Sequence, residues 1–169
     1  MRLLRFIGKS RWLSEPRKLE LYPPFFLMRI RVLEMRDNWR FCRIRLPLNT
    51  ISRNPGGLLF GGWQAALADP IASLACARVF PGYSVWTRSM HLDFHQGGDS
   101  DLELRFRMSA EQEHAIGREL EESGRATPEF HYGFYHADGG LCTEIHNRVA
   151  IRPKGYRRAH DAAMDLGDF

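Results

Sequence analysis

Gly61-Gly62-Trp63-Gln64-Ala65-Ala66-Leu67-Ala68-Asp69-Pro70-Ile71-Ala72-Ser73-Leu74-Ala75-Cys76-Ala77-Arg78 is the stretch on which the fold turns. Alanine dominates it, and apolar residues lie on every side of a 3.6-residue period. This is the pattern of a helix buried on most sides rather than laid on a surface. Pro70 has no amide proton and crowds the carbonyl of Ala66, so the helix is expected to kink beside Asp69. Pro81-Gly82 ends the element.

Beyond the helix the period changes to two. Trp86, Arg88, Met90, Leu92 and Phe94 alternate with Thr87, Ser89, His91, Asp93 and His95, giving one mostly apolar face and one polar face. After a Gly97-Gly98 turn, Leu102, Leu104, Phe106 and Met108 alternate with charged residues as a second half-buried strand. Ser109 with Gln112 has the form of a capping box, opening a polar helix that ends near Gly124. Two further strands, Glu129 to His136 and Leu141 to Ile151, flank an Asp138-Gly139-Gly140 hairpin turn. Before the helix, Met28 to Arg36 and Trp39 to Leu46 read as strands joined by a tight turn at Asp37-Asn38, and residues 48–59 as loop. No βαβ alternation is present, so the class is α+β: an antiparallel sheet wrapped around one long central helix. A lone sheet of this kind leaves an open edge and an exposed face, which dimerisation would cover.

Residues 1–23 are expected to form a helical arm, closed by Pro23-Pro24. Residues 24–153 form the single domain, and residues 154–169 a tail. Composition is that of an ordinary globular chain, 44% hydrophobic and 26% charged. No run of 18 apolar residues exists, and Arg5, Lys9 and Arg11 interrupt any signal-peptide core, so neither membrane insertion nor export is expected. An amphipathic docking helix suits Met1 to Leu13 better than an anchor does. Cys42, Cys76 and Cys142 are odd in number and lack C-x-x-C spacing. That argues against disulfides and zinc and for a reducing, cytoplasmic compartment. The net charge of +4 is densest at Arg152, Lys154, Arg157 and Arg158, either a solvated tail or a lure for a phosphorylated ligand. No recognition motif accompanies these charges, so nucleic acid is not an expected partner.

Asp69 is the only charged side chain between Gly62 and Arg78. A carboxylate in such a helix needs a partner, a raised pKa or a wet cleft. Two readings stand. Asp69 caps a second half-helix beginning at Pro70, or it is a general base or nucleophile in a water-poor pocket. Gly61-Gly62 supports the latter, since amides at a helix start are unsatisfied and glycine lets a carbonyl come close. Together they can make an oxyanion site for acyl transfer.

The segment Asn54-Pro55-Gly56-Gly57-Leu58-Leu59-Phe60-Gly61-Gly62, with Leu67-Ala68-Asp69 following, resembles the active-site segment of small hotdog-fold acyl-CoA thioesterases. These are the phenylacetate-degradation type and the human thioesterase superfamily members. Their pattern is an Asn, five residues, a His, Gly-Gly, and an Asp or Glu after six more. Asn54, Gly61, Gly62 and Asp69 match it in identity and spacing. Val85 to Phe94 resembles the long strand after the helix, especially in a bacterial branch of the superfamily without an assigned function. The resemblance implies a hotdog fold and a site completed across a homodimer, or a dimer of dimers. In it Asp69 would activate water or attack the thioester, and the Gly61 amide would polarise the carbonyl. Asn54 would orient water or substrate, and Thr87 would stand nearby. Gly62, Phe60, Arg152 and Lys154 are expected to contact the acyl-CoA or related thioester. Phe60 departs from the family pattern, because it occupies the His position and cannot donate a hydrogen bond.

No cofactor is implied. His91 and His95 flank Asp93 on one strand face, but strand residues two apart sit about 7 Å from each other and chelate loosely, so no metal is expected. Cys76 reads as a packing residue, no G-x-S-x-G elbow exists, and the His-Phe-Pro-Gly segment of hotdog dehydratases is absent. Two function classes remain: a thioester hydrolase, and a non-catalytic acyl-ligand-binding dimer on the same fold.

Overall fold

The computed structural model describes residues 13–156. Two short helices, α1 (Glu15–Glu20) and α2 (Pro23–Met28), precede strands β1 (Arg31–Arg36) and β2 (Phe41–Leu46). The central helix α3 (Gly61–Val79) comes next, followed by β3 (Tyr83–Phe94), β4 (Leu102–Arg107), α4 (Ala110–Ser123), β5 (Glu129–Tyr135) and β6 (Leu141–Pro153). All strand pairs are antiparallel, in the order β1-β2-β4-β5-β6-β3. The sheet curves around α3, which packs mainly on β3 and β6. The expected architecture is present.

Phe106, Phe130 and Phe134 from β4 and β5 are fully buried with Ile145 of β6 and with Leu67 and Ile71 of α3. Each such side chain contributes on the order of 1.5–3 kcal/mol by leaving water. The capping box forms as expected. The Gln112 N–H donates to Ser109 Oγ, the Gln112 side chain accepts from the Ser109 N–H, and Gly124 ends α4 at φ 70°. Arg40, just before β2, reaches α4 through two 2.6 Å bonds to the Glu113 carboxylate. The hydrogen bonds from Arg40 hold the Glu113 carboxyl below the ordinary carboxylate value. A folded-state value below the unfolded one gives stability that is complete above the unfolded range and lost as pH falls through the folded value. The pair is part-exposed, so its worth is about 1 kcal/mol or less. Glu113→Gln is therefore expected to lower the melting temperature by a few degrees at neutral pH. The gap to wild type should close as the scans move into acid.

The structure corrects three local readings. Pro23-Pro24 opens a helix rather than closing an arm: Pro sits in its first turn, and Arg29 ends it at φ 57°. Strand β1 consequently starts at Arg31 and not at Met28. The turn before β2 takes three residues, since Asp37, Asn38 and Trp39 all have positive φ (54°, 53° and 73°) and Trp39 is buried. Lastly, β3 carries a bulge between Thr87 and Ser89. A bulge inserts one unpaired residue and reverses the facing of everything beyond it. Thr87 pairs with Val149 and Met90 with Asn147, so both turn toward α3. Trp86 pairs with Ala150 and is 43% exposed; it does not share a face with Met90 and Leu92. The docking helix expected over Met1 to Leu13 lies outside the described residues but for its last position. Among the described residues, no helix is long and apolar enough to cross a membrane.

Candidate active site on the central helix

Helix α3 is not covered on most sides in one chain. Gln64, Leu67, Ala68, Ile71, Ala72, Ala75 and Cys76 face the sheet and are buried. Gly62, Ala66, Asp69 and Ala77 form an exposed stripe on the other side. Asp69 thus stands on an open, small-residue face. The capping alternative fails, because α3 runs unbroken through Pro70 and its N-cap is Phe60. Pro70 removes the donor to the Ala66 carbonyl, but Ala66 is exposed and water can supply the missing bond.

The backbone at Asp69 is held from below by side chains of three strands. Tyr132 Oη donates to the Ala68 carbonyl at 2.8 Å. Asn147 Nδ2 donates to Tyr132 Oη at 2.8 Å and to the Asp69 carbonyl at 3.2 Å. Thr87 Oγ1 donates to the same Asp69 carbonyl at 2.7 Å. Both carbonyls can only accept, so the direction of the chain is fixed: amide to phenol to carbonyl. Burial pushes the Tyr132 phenol above its ordinary value, which keeps it a neutral donor. Thr87 therefore reaches Asp69 through the main chain rather than the carboxylate. Asn147 and Tyr132 are positioning residues that the sequence reading missed. Gln64 and Thr143, paired at 2.6 Å and buried, were missed as well. Asn147→Ala leaves Tyr132 Oη without its donor, at a cost of about 1–3 kcal/mol. A fall in melting temperature of roughly 2–12 °C is expected.

At the start of α3, Phe60 is extended (φ −64°, ψ 125°) and supplies no side-chain cap. Its N–H donates to the Ser52 carbonyl, and the Trp63 N–H donates back to the Phe60 carbonyl. The Gly61 and Gly62 amides between them are the orphan donors of a helix start. Aromatic rings lie close beside both residues. A Cβ on Gly61 would lie 3.0 Å from Phe94 Cζ, and one on Gly62 2.3 Å from Phe60 Cε1. Phe60 and Phe94 are themselves each 52% exposed, an apolar rim beside the free amides.

Asn54 lies in the loop ahead of this helix start, with much of its side chain committed. Its Oδ1 accepts from the Leu58 N–H at 3.1 Å while its N–H donates to the Leu58 carbonyl at 2.7 Å. Nδ2 is what it can still offer. Arg152 is also engaged: Nη1 donates to the Ala126 and Ile151 carbonyls, and Nη2 to Thr127 Oγ1. It lines an outer cleft with Trp86, Arg88, Arg125 and Tyr156, near exposed Lys154. Arg157 and Arg158 of the expected basic cluster lie outside the described residues. The three thiols are free and buried. Burial pushes those of Cys42 and Cys76 up to about 12, and that of Cys142 upward too, so none supplies a thiolate at neutral pH.

Residues 13–151 match the family described as a domain of unknown function, DUF4442. No curated protein matches. Among solved structures, a Pseudomonas aeruginosa protein of unknown function, called a probable thioesterase, is similar with a TM-score of 0.70 at 17% identity, covering 90% of this chain and 95% of that one. A Haemophilus influenzae thioesterase is similar with a TM-score of 0.64 at 15% identity, covering 90% and 97%. A Chlorobaculum tepidum protein of unknown function follows with 0.66 at 12% identity, covering 90% and 93%. At such identities the likeness establishes the fold. With its six-stranded curved sheet, its one long central helix and a family match over most of its length, the chain belongs to the DUF4442 family and has the hotdog fold of the thioesterases.

Proposed function

We propose that the protein hydrolyses an acyl-CoA or related thioester, with Asp69 as base or nucleophile and the Gly61 amide as oxyanion donor, at sites shared between two chains. The observation that carries this reading is the place of Asp69, an exposed carboxylate on an open small-residue stripe of α3 whose backbone is held by Tyr132, Asn147 and Thr87. The thioesterase names of similarly folded proteins add to it.

Helix geometry argues for sharing. Asp69 lies eight residues after Gly61, about 12 Å along the axis. One carbonyl cannot meet both groups within hydrogen-bond reach, even with the Asp side chain leaning back toward the helix start. A second chain related by a two-fold axis can bring its Gly61 to the first chain's Asp69. The open stripe of α3 and the free edge of β3 are the surfaces that would meet.

The chemistry follows in order. The carbonyl enters against the Gly61 amide, between the Phe60 and Phe94 rings. Asp69 takes a proton from water as it attacks, or attacks directly to give an anhydride that water then opens. The thiol leaves with a proton. In the cationic cleft, Arg88 and Arg125 can hold a nucleotide phosphate by bidentate contacts, with the engaged Arg152 adding its charge.

Phe60 favours a second reading. It stands where a donor is usual in the resembling thioesterases, and its ring covers Gly62. A binder without turnover would keep the same helix start and stripe. Thiol release from a panel of acyl-CoAs, with light scattering on the same sample, tests both. Release by a dimer is expected. Ligand-induced thermal shift without release supports the binder, and a monomer at micromolar concentration defeats the shared site.

A further inference from the structure

The face of the sheet turned away from α3 carries a group that the proposed hydrolysis does not use. Strands β5, β6 and β3 are successive neighbours, and their registers put His131 opposite His146 and His146 opposite His91. Side chains two apart on a strand share a face, so Glu129 stands beside His131 and Glu144 beside His146. The buried residues Ile145 and Asn147 take the intervening positions toward α3. His131 and His146 lie fifteen positions apart in sequence, and only the strand pairing unites them.

The His131 and His146 ring centroids are 4.2 Å apart. Glu129 Oε1 lies 3.5 Å from His131 Nε2 and 3.6 Å from His146 Nδ1. One ligand atom from each of the three residues lies within 4.8 Å of the others. Ligand atoms held about 2.0–2.1 Å from a tetrahedral ion stand about 3.4 Å from one another. Two of the three edges therefore already have nearly that length, and the third closes by a turn of an exposed ring. The outer contacts fit as well. With Nδ1 of His146 directed at Glu129, its Nε2 lies 3.5 Å from Glu144 Oε1. A metal-bound histidine commonly hands its second N–H to a carboxylate in this way, which fixes the ring.

We propose that Glu129, His131 and His146 form a divalent-cation site on the outer face of the sheet, with Glu144 as a positioning carboxylate. Two imidazoles and one carboxylate suit zinc, with a fourth position open to water. The site is distinct from Asp69 and independent of the proposed hydrolysis. The competing account is a set of protonated histidines paired with their carboxylates, which takes no metal.

The test titrates the full, tag-free chain with Zn²⁺ against a chromophoric chelator. One ion per chain is expected. The His131→Ala/His146→Ala double variant should lose it and keep its melting temperature without metal, because these residues are part-exposed. Glu144→Gln should bind one ion roughly 10- to 100-fold more weakly. Zinc should raise the melting temperature of the wild type and leave that of the double variant unchanged. Equal uptake by wild type and double variant, or none by wild type, overturns the site. Unchanged affinity in Glu144→Gln removes Glu144 from it.

Discussion

Replacing Asp69 with Asn is expected to lower the proposed thioester hydrolysis by roughly 10²- to 10⁴-fold, the loss that follows removal of a general base. The melting temperature should move by no more than about 2 °C, since Asp69 is exposed and exposed substitutions rarely exceed ±0.5 kcal/mol. Fold and activity should thus separate cleanly at this residue. The Tyr132, Asn147 and Thr87 contacts are all to main-chain carbonyls, which Asn leaves in place. If KM is unchanged while turnover collapses, Asp69 acts on the transition state and not on binding. A variant with wild-type turnover would make Asp69 an ordinary surface charge and overturn its proposed role.

Gly61→Pro is expected to reduce turnover by roughly 10²- to 10³-fold, as for loss of one oxyanion donor. Proline is well tolerated at the first helical position, and the residue before it prefers extended backbone. Phe60 already has ψ 125°, so the substitution removes the amide proton without remaking the helix start. The exposed Phe94 ring has to shift to admit the new ring. Co-expressing Gly61→Pro with Asp69→Asn then tests the shared site. A mixed dimer holds one intact Gly61 and Asp69 pairing, so random assembly restores about a quarter of wild-type activity. Two inactive chains that stay inactive together would place both groups in one subunit's site.

The long helix was legible because alanine content, all-round apolarity and Pro81-Gly82 agree with one another. The polar helix was legible because Ser109 and Gln112 write its start. Elsewhere two local signals competed. Phe25 to Met28 is apolar enough to pass for a strand entry, yet Pro23 fits the first turn of a helix. In β3, Trp86-Thr87-Arg88-Ser89 supports either alternation, and only pairing with β6 shows that Arg88 is the extra residue. That one-residue shift decides that Thr87 touches the Asp69 backbone and that Trp86 does not face the helix. Asp69 stood out as the one charge in an apolar helix and Gly61 as part of a glycine pair at its start, while Asn54 was suggested only by the resemblance. Asn147 could have been found once Ile145 and Val149 were assigned inward, because an Asn between them is a buried polar group in need of partners. Tyr132 gave no comparable signal, since a tyrosine on a core strand is ordinary.

The two margins of the sheet are unequal, and this governs how the protein can assemble. β3 offers twelve residues and β1 only six; β1 is also broken by a bulge at Leu33 and carries Arg31, Glu34 and Arg36. Joining β1 of one molecule to β3 of the next would be head-to-tail and could repeat without limit into a filament. A short, charged, irregular margin resists that addition. Joining β3 to β3 about a two-fold axis consumes both copies at once and stops. The bulge of β1 would therefore act as a terminator in the proposed assembly, leaving growth by strand addition a single self-limiting step.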